Sequence, residues 1–365
     1  MVGLTGGGPA GGEDAPALDV EGGWARLAAG VTGGVDLSRD EARAVMSWVL
    51  AGGASPVRIA ALLTGLKAKG ETVEEMAGFL EAMLSVAERV DPGGVVIDTC
   101  GTGGDGLGTF NVSTLAALVV AGAGAKVCKH GGRAASSLTG SADLLEALGV
   151  VIDLGAPGVE RCIENAGIGF CFAPRFHPAM RHAAAVRREL GVSTVFNMLG
   201  PLANPAREVC QVLGVPNSPA AEKMVRVLAA RGCRRAMVVT GDDGMDEISL
   251  SAPTRILELS EDGRQRAWTL VPEDYGFAVA GAASVAGGDV SRNVAIAGEV
   301  LSGGHGPARD IVVLNAAAAT VVSGLCATFS EGVEAAQGSI DEGAAARALD
   351  GLVAASKSSR AESSE

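Results

Sequence analysis

The sequence contains no C-x-x-C pair. Its seven cysteines, an odd number, are scattered, which leaves neither a disulfide framework nor a zinc spacing and suits a reduced compartment. Positive charge is also scarce, and a formal net charge of −13 argues against a chain that tracks nucleic-acid backbone. The opening residues, MVGLTGGGPAGGEDAP, lack the basic region and apolar run of a secretory signal and read as a flexible tail over residues 1–18. Only Ile311 to Phe329 would catch a hydropathy plot. Asn315, Thr320, Ser323 and many small residues weaken it, so it reads as a buried helix rather than a membrane span. A cytoplasmic protein with neither membrane nor nucleic-acid partners is expected.

What is present divides in two. Over residues 19–92 the spacing predicts helices: Ser38 and Glu41 form a capping box, Ser55-Pro56 opens a stretch that stops at Gly70, and Thr72 and Glu75 repeat the box. Asp91-Pro92-Gly93-Gly94 breaks the pattern. Over residues 93–350 short β-branched runs (VVIDTC, AKVCKH, VVIDL, IGFCFAP, VCQVLGV, RAMVVTG) alternate with helical stretches, which implies a mostly parallel sheet covered by helices. The fold class is α/β, a small N-terminal helical domain plus a large domain, with helices near 177–191 packing against the smaller one. Residues 351–365 read as a disordered tail.

The chemistry concentrates in three loops. DTCGTGGDGLGTFNVST, Asp98 to Thr114, matches the G-x-G-x-x-G expression, yet its helix pattern opens only near Ser113 and the next strand ends in Lys129-His130 where a dinucleotide site needs an acid. NAD is disfavoured, and a Walker loop is excluded because no Gly-Lys-Ser/Thr follows. A glycine loop feeding a helix start still offers free N–H groups to a phosphate, with Asn111, Ser113 and Thr114 adding side-chain groups; a plain tight turn is the alternative. One strand later, KHGGRAASSLTGS repeats the arrangement with Lys129, His130, Arg133, Ser136, Ser137 and Ser141. From Lys126 to Arg188 eight Lys and Arg stand against five acids in an otherwise acidic chain. Two such units suggest a substrate with phosphates at two ends, a sugar bisphosphate or phosphoribosyl diphosphate (PRPP). The third loop, TGDDGMDEIS, gathers Asp242, Asp243, Asp246 and Glu247. Beside two anion loops, these carboxylates favour a hard cation over a merely solvated turn.

At these residues the chain resembles the anthranilate phosphoribosyltransferase family. GTGGDGLGTFNVST, KHGGRAASSLTGSADLLEALGV, FAPRFHPAMRHAAAVRRELG, FNMLGPLANPA and GDDGMDEIS stand in the family's order, and the similarity runs from near Trp24 to about Ala348. The resemblance implies transfer of a phosphoribosyl group from PRPP to anthranilate in tryptophan biosynthesis, Mg²⁺ at two ions per subunit, and a homodimer. By matching position it makes Gly101, Gly104, Asp105, Thr109, Asn111, Val112, Ser113 and Thr114 PRPP contacts. The same role extends to Lys129, His130, Gly131, Gly132, Arg133, Ala134, Ala135, Ser136, Ser137 and Ser141. Lys129 and His130 are implied as catalytic, and Ser113, Asp246 and Glu247 as Mg²⁺ ligands. Gly101, Gly132, His177 and Arg187 fall to anthranilate, with Arg187 the cation for its carboxylate. The family usually carries Asn where this chain has Gly132, so a different aromatic acceptor is an alternative reading. A relative that binds nucleic acid without catalysis is a remoter one.

Overall fold

The structure is a computed structural model that describes residues 23–134, 138–207 and 209–362; the 1–18 tail and Ala135, Ser136 and Ser137 lie outside them. Helices α1 (Gly23–Thr32), α2 (Arg39–Leu50), α3 (Pro56–Lys69) and α4 (Val73–Ser85) open the chain. Both capping boxes form: the amides of Ser38 and Thr72 each donate to the glutamate three residues on, at 2.8 Å. Glu75 also accepts from the Leu37 amide and from Lys69, both at 2.8 Å, so both oxygens of a fully buried carboxylate are engaged.

The larger part runs β1 (Val96–Gly101), α5 (Val112–Gly122), β2 (Val127–Gly131), α6 (Ser141–Ala147), α7 (Ala156–Ala166), β3 (Ile168–Phe172), α8 (Ala173–Phe176), α9 (Arg181–Leu190), α10 (Val195–Leu202), β4 (Val209–Gly214), α11 (Ser218–Arg231) and β5 (Ala236–Gly241). It closes with β6 (Thr254–Leu259), β7 (Gln265–Leu270), α12 (Val290–Leu301), α13 (Pro307–Ser323), α14 (Phe329–Asp341) and α15 (Ala344–Glu362). The described strands form one sheet in the order β3-β2-β1-β4-β5-β6-β7, parallel through β5 and antiparallel beyond it. The direction of winding reverses between β1 and β4, so the loops after them part and leave a crevice at their carboxyl ends. Gly101 and Gly214 are cross-strand partners at that point.

Side chains alternate along the strands between two cores. On β5, Met237 and Val239 join the core under α5 and α13, whereas Ala236 and Val238 join the core shared with α2, α4, α10 and α11. The second core fastens the helical layer to the sheet, and α9 packs on α2 and α3. No helix of the described residues is long and apolar enough to cross a membrane, and α13 is a buried helix.

Two expectations need correction. VVIDL, Val150 to Leu154, is not a strand. Its alternation reflects burial of Val150, Ile152 and Leu154, while the Val151 amide donates to Ser356 Oγ instead of a neighbouring strand. Nor is the chain disordered from 351, because α15 continues to Glu362. Leu352, Ser356 and Ser359 are buried against the α/β body, and Arg161 Nε donates to Ser359 Oγ at 3.2 Å. A polar, small-residue segment can be ordered when its small side chains allow close helix packing and its hydroxyls find partners.

Candidate active site

The loop from β1 to α5 lies over the crevice. Gly103, Gly104, Gly106 and Gly108 all have φ between +63° and +81°, a region that strains any residue with a Cβ, so the glycines are fixed by backbone shape. The loop is pinned at both ends. The Thr102 amide donates to Gly214 O at 2.9 Å and the Gly103 amide to Asp246 Oδ2 at 2.6 Å. At the other end Thr109 bridges to Ala286, and Asn111 donates to Thr139 O and accepts from Asn293 Nδ2. The Asn111 amide, a predicted PRPP contact, thus ties its own loop to the Thr139 loop and to α12, and Asn293 was not legible as its partner. Ser113 and Thr114 stand in the first turn of α5, whose N-cap, Asn111, makes no side-chain capping bond to that turn.

Two carboxylates from the loop after β5 meet this loop from below. Gly101 and Gly214 make room for them: a Cβ on either would collide with Asp246. Burial, then the charge of Asp105, pushes the Asp246 carboxyl up to about 7. Burial and the charge of Asp246 hold Glu247 well above the ordinary glutamate range, against the opposing pull of Lys129. Asp105 Oδ2 and Thr102 Oγ1 are buried without a partner. Asp105 and Asp246 both disfavour the charge of Glu247, and Asp105 that of Asp246, so these carboxylates and the Ser113 hydroxyl are neighbours in a place short of positive charge. Their oxygen chemistry is that of a hard-cation site, although among the described residues no three such side chains converge closely enough to hold a metal ion. The acidic quartet seen in the sequence divides here. Asp243 accepts from Ser249 and Ser251 and shapes the turn, and Asp242 is exposed.

The second loop differs from its expected cationic character. Lys129 is 2% exposed, its Nζ donating to Thr99 O at 2.6 Å and reaching Ser113 Oγ at 3.4 Å. Burial lowers the His130 pKa well below the ordinary histidine value, and its ring meets His177 edge-on at 5.2 Å. His177 falls to about 4 for the same reason and is held by a 2.8 Å contact with Ala203 O. Both rings are neutral near pH 7. Arg133 is committed to Asp143 and Glu146, each at 2.8 Å, so its charge is spent on α6. The amides of Ala134 and Gly140 are likewise taken, both donating to Asp143, and Gly131 lets the Ser141 hydroxyl approach. A Cβ on Gly132 would meet nothing within 4 Å.

Beneath Lys129 and His130 lies a buried network the sequence reading missed. Asp98 accepts from the His130 amide, Asn204 Nδ2 and Gln211 Nε2. Asp98 stood in the quoted motif, but its partners come from 106 and 113 residues away in sequence.

A cavity of about 750 Å³ opens between Thr102, Gly103 and Gly104 on one side and α3, α9, α10 and the start of α11 on the other. Arg187 and Arg188 line it with Lys67, whose place on α3 gave no signal in the sequence. Arg187 lies over the Phe196 ring at 5.1 Å, is desolvated, and has no carboxylate partner among the described residues. The net positive segment is thus mostly spent elsewhere, Arg175 on Glu88 and Arg133 on α6, and the Arg187-Arg188 pair faces the cavity.

The glycine loop and Arg187 face one another across a crevice between two layers. The chain belongs to the glycosyl transferase family. Residues 26–87 match that family's helical bundle domain and residues 93–346 its a/b domain. Within it the similarity is to anthranilate phosphoribosyltransferases. The Herpetosiphon aurantiacus enzyme of that name is 52% identical over 327 residues, 89% of this chain and 97% of its own. The crystal structure of the Thermus thermophilus enzyme superposes with a TM-score of 0.85 at 42% identity, covering 90% of this chain and 99% of that one. The Saccharomyces cerevisiae enzyme, solved in complex with PRPP and Mg, gives 0.86 at 28% identity over 93% and 99%.

Proposed function

We propose that this chain transfers the phosphoribosyl group of PRPP to the amine of anthranilate, releasing diphosphate with inversion at the sugar C1. The observation that carries this reading is the pairing of sites across one cavity: a glycine loop backed by Asp105, Asp246 and Glu247 on one wall, and Arg187, free of any carboxylate among the described residues, on the other. The loop amides and the Ser141 hydroxyl suit the phosphate groups. Arg187 suits the anthranilate carboxylate, which turns the amine toward the loop. Ser113, Asp246 and Glu247, joined by Asp105, would hold Mg²⁺, at two ions per subunit. When bound, the metal would offset the negative charge that develops on the departing diphosphate.

An aromatic amine is a free base at pH 7, so attack on C1 needs no strong general base, and positioning in the cavity supplies much of the rest. Lys129 acts through its contact with Ser113, adding positive potential below the loop. His130, neutral and buried, sets the shape of the β2 end rather than supplying charge. The active form is a homodimer joined through the helical layer, working in the cytoplasm. A second reading keeps the phosphoribosyl chemistry but changes the acceptor, because Gly132 supplies no side-chain amide and a Cβ there would meet nothing within 4 Å.

The deciding experiment mixes purified protein with PRPP, Mg²⁺ and anthranilate and follows anthranilate fluorescence, with an EDTA control. Metal-dependent decay is expected. No decay, with PRPP and Mg²⁺ still raising Tm, would favour the second reading; no decay and no Tm shift would overturn both.

A further inference from the structure

The chain has a second, smaller cavity of about 240 Å³ where the end of α4 and the linker to β1 face α11. Its charged lining is Arg39, Arg89, Arg231 and Glu81, and Leu84 and Val227 supply apolar wall. The single carboxylate is already spent, since Arg39 Nε donates to Glu81 Oε1 at 2.9 Å. Arg231 donates to the carbonyls of Leu202 and Asn204 and meets no carboxylate in contact. Arg89 stands at the rim with no ion pair or hydrogen bond among the described residues. The charge of Arg231 is disfavoured by burial and by Arg89 and favoured by Asp98, and that of Arg89 is disfavoured by burial and by Arg207. Two guanidiniums of like charge, neither in contact with a carboxylate among the described residues, line a concave, partly apolar space, an arrangement that favours an oxyanion accepting from Arg89 and from the N–H groups that Arg231 has left.

We propose that this cavity is an anion-binding site separate from the substrate cavity, taking a small dianion through Arg89 and Arg231. Its volume suits inorganic phosphate or a short dicarboxylate, and excludes a nucleotide. Its floor also bears on the active site. The carbonyl that Arg231 holds belongs to Asn204, whose amide donates to Asp98 under His130, so an ion seated on Arg231 rests on the network that carries the β2 end.

Arg89 suits the test because it is exposed and unpartnered, so replacing it strands no buried group. Inorganic phosphate and, in a separate arm, malonate are titrated calorimetrically into the full chain, wild type, Arg89→Met and Arg89→Lys, in the absence of Mg²⁺. Phosphate held at the glycine loop is common to all three proteins, so the Arg89-dependent event is the signal. Expected is a binding event in the wild type that weakens about tenfold or more in Arg89→Met, the loss of one charge-assisted hydrogen bond, and is partly restored in Arg89→Lys. A response to phosphate alone assigns a phosphate-class ligand, and a response to malonate alone a dicarboxylate. Identical isotherms for wild type and Arg89→Met with both probes, Tm being unchanged, overturn the proposal.

Discussion

Glu247 is subject to two opposed demands. In the ligand-free protein its charge is penalised by burial and by Asp246, yet in the proposed reaction that same charge is needed to hold Mg²⁺. Glu247→Gln keeps the volume and removes the charge. Turnover should fall by about 10²- to 10³-fold, the scale of losing one electrostatic contact to the developing charge, while the ligand-free Tm holds or rises. Unchanged turnover at limiting and saturating Mg²⁺ would remove Glu247 from the metal set. Arg187 supplies the complementary case. Arg187→Gln should raise KM for anthranilate about 10- to 100-fold, the worth of a charge-assisted hydrogen bond, and leave kcat at saturation nearly unchanged; an equal fall in kcat would move Arg187 from binding to the reaction itself. At Gly132 the space for a Cβ is open, so Gly132→Asn tests the acceptor directly. If anthranilate is the acceptor, the added amide should lower its KM by up to about tenfold, one neutral hydrogen bond. A rise in KM would point to an acceptor that uses the space.

At the scale of elements, what the sequence revealed was local. Capping boxes, the glycine loop and the alternation of strands with helices are each written within a few residues, so α2, α3, α4, β1 and β5 were legible together with Asp246 and Glu247. What failed depends on distant partners. VVIDL has strand alternation, but its amide is taken by Ser356 from the far end of the chain. The β6-β7 hairpin went unread because β7 is largely exposed and carries Gln265 and Arg266 where an apolar face was sought. Arg133 looked like an anion ligand until Asp143 and Glu146 of the next helix claimed it. The same blindness made the last helix look dispensable. Ending the chain at Gly351 should remove the burial of Leu352 and strip partners from Val151 and Arg161, at a cost of at least about 2 kcal/mol by analogy with large-to-small core changes. A melting curve indistinguishable from that of the full chain would restore the disordered-tail reading.

For the whole molecule, the buried carboxylates would make stability and the proposed Mg²⁺ binding opposite functions of pH. Asp246 titrates near 7 in the folded chain and near 3.8 when unfolded, so between these values the folded state binds the extra proton. That contribution is fully present below 3.8 and is lost as pH rises through 7. His177 works the other way, its contribution present above 6.5 and lost as pH falls through about 4. The two oppose each other below 6.5, leaving pH 6.5 to 8 as the window in which the carboxylates dominate. Across it the Tm of the metal-free protein should fall more for the wild type than for Asp246→Asn, which has no proton to lose. Mg²⁺ with PRPP should invert the slope, because the metal competes with that proton and its affinity rises by up to about tenfold per pH unit below 7 for each carboxylate released. Melting curves at pH 6, 7 and 8, with and without Mg²⁺ and PRPP, measure both effects in one series. A ligand-induced rise in Tm that is flat across the three values would mean that the carboxylates below the glycine loop are already ionised, and that the loop holds its phosphates without drawing on their charge.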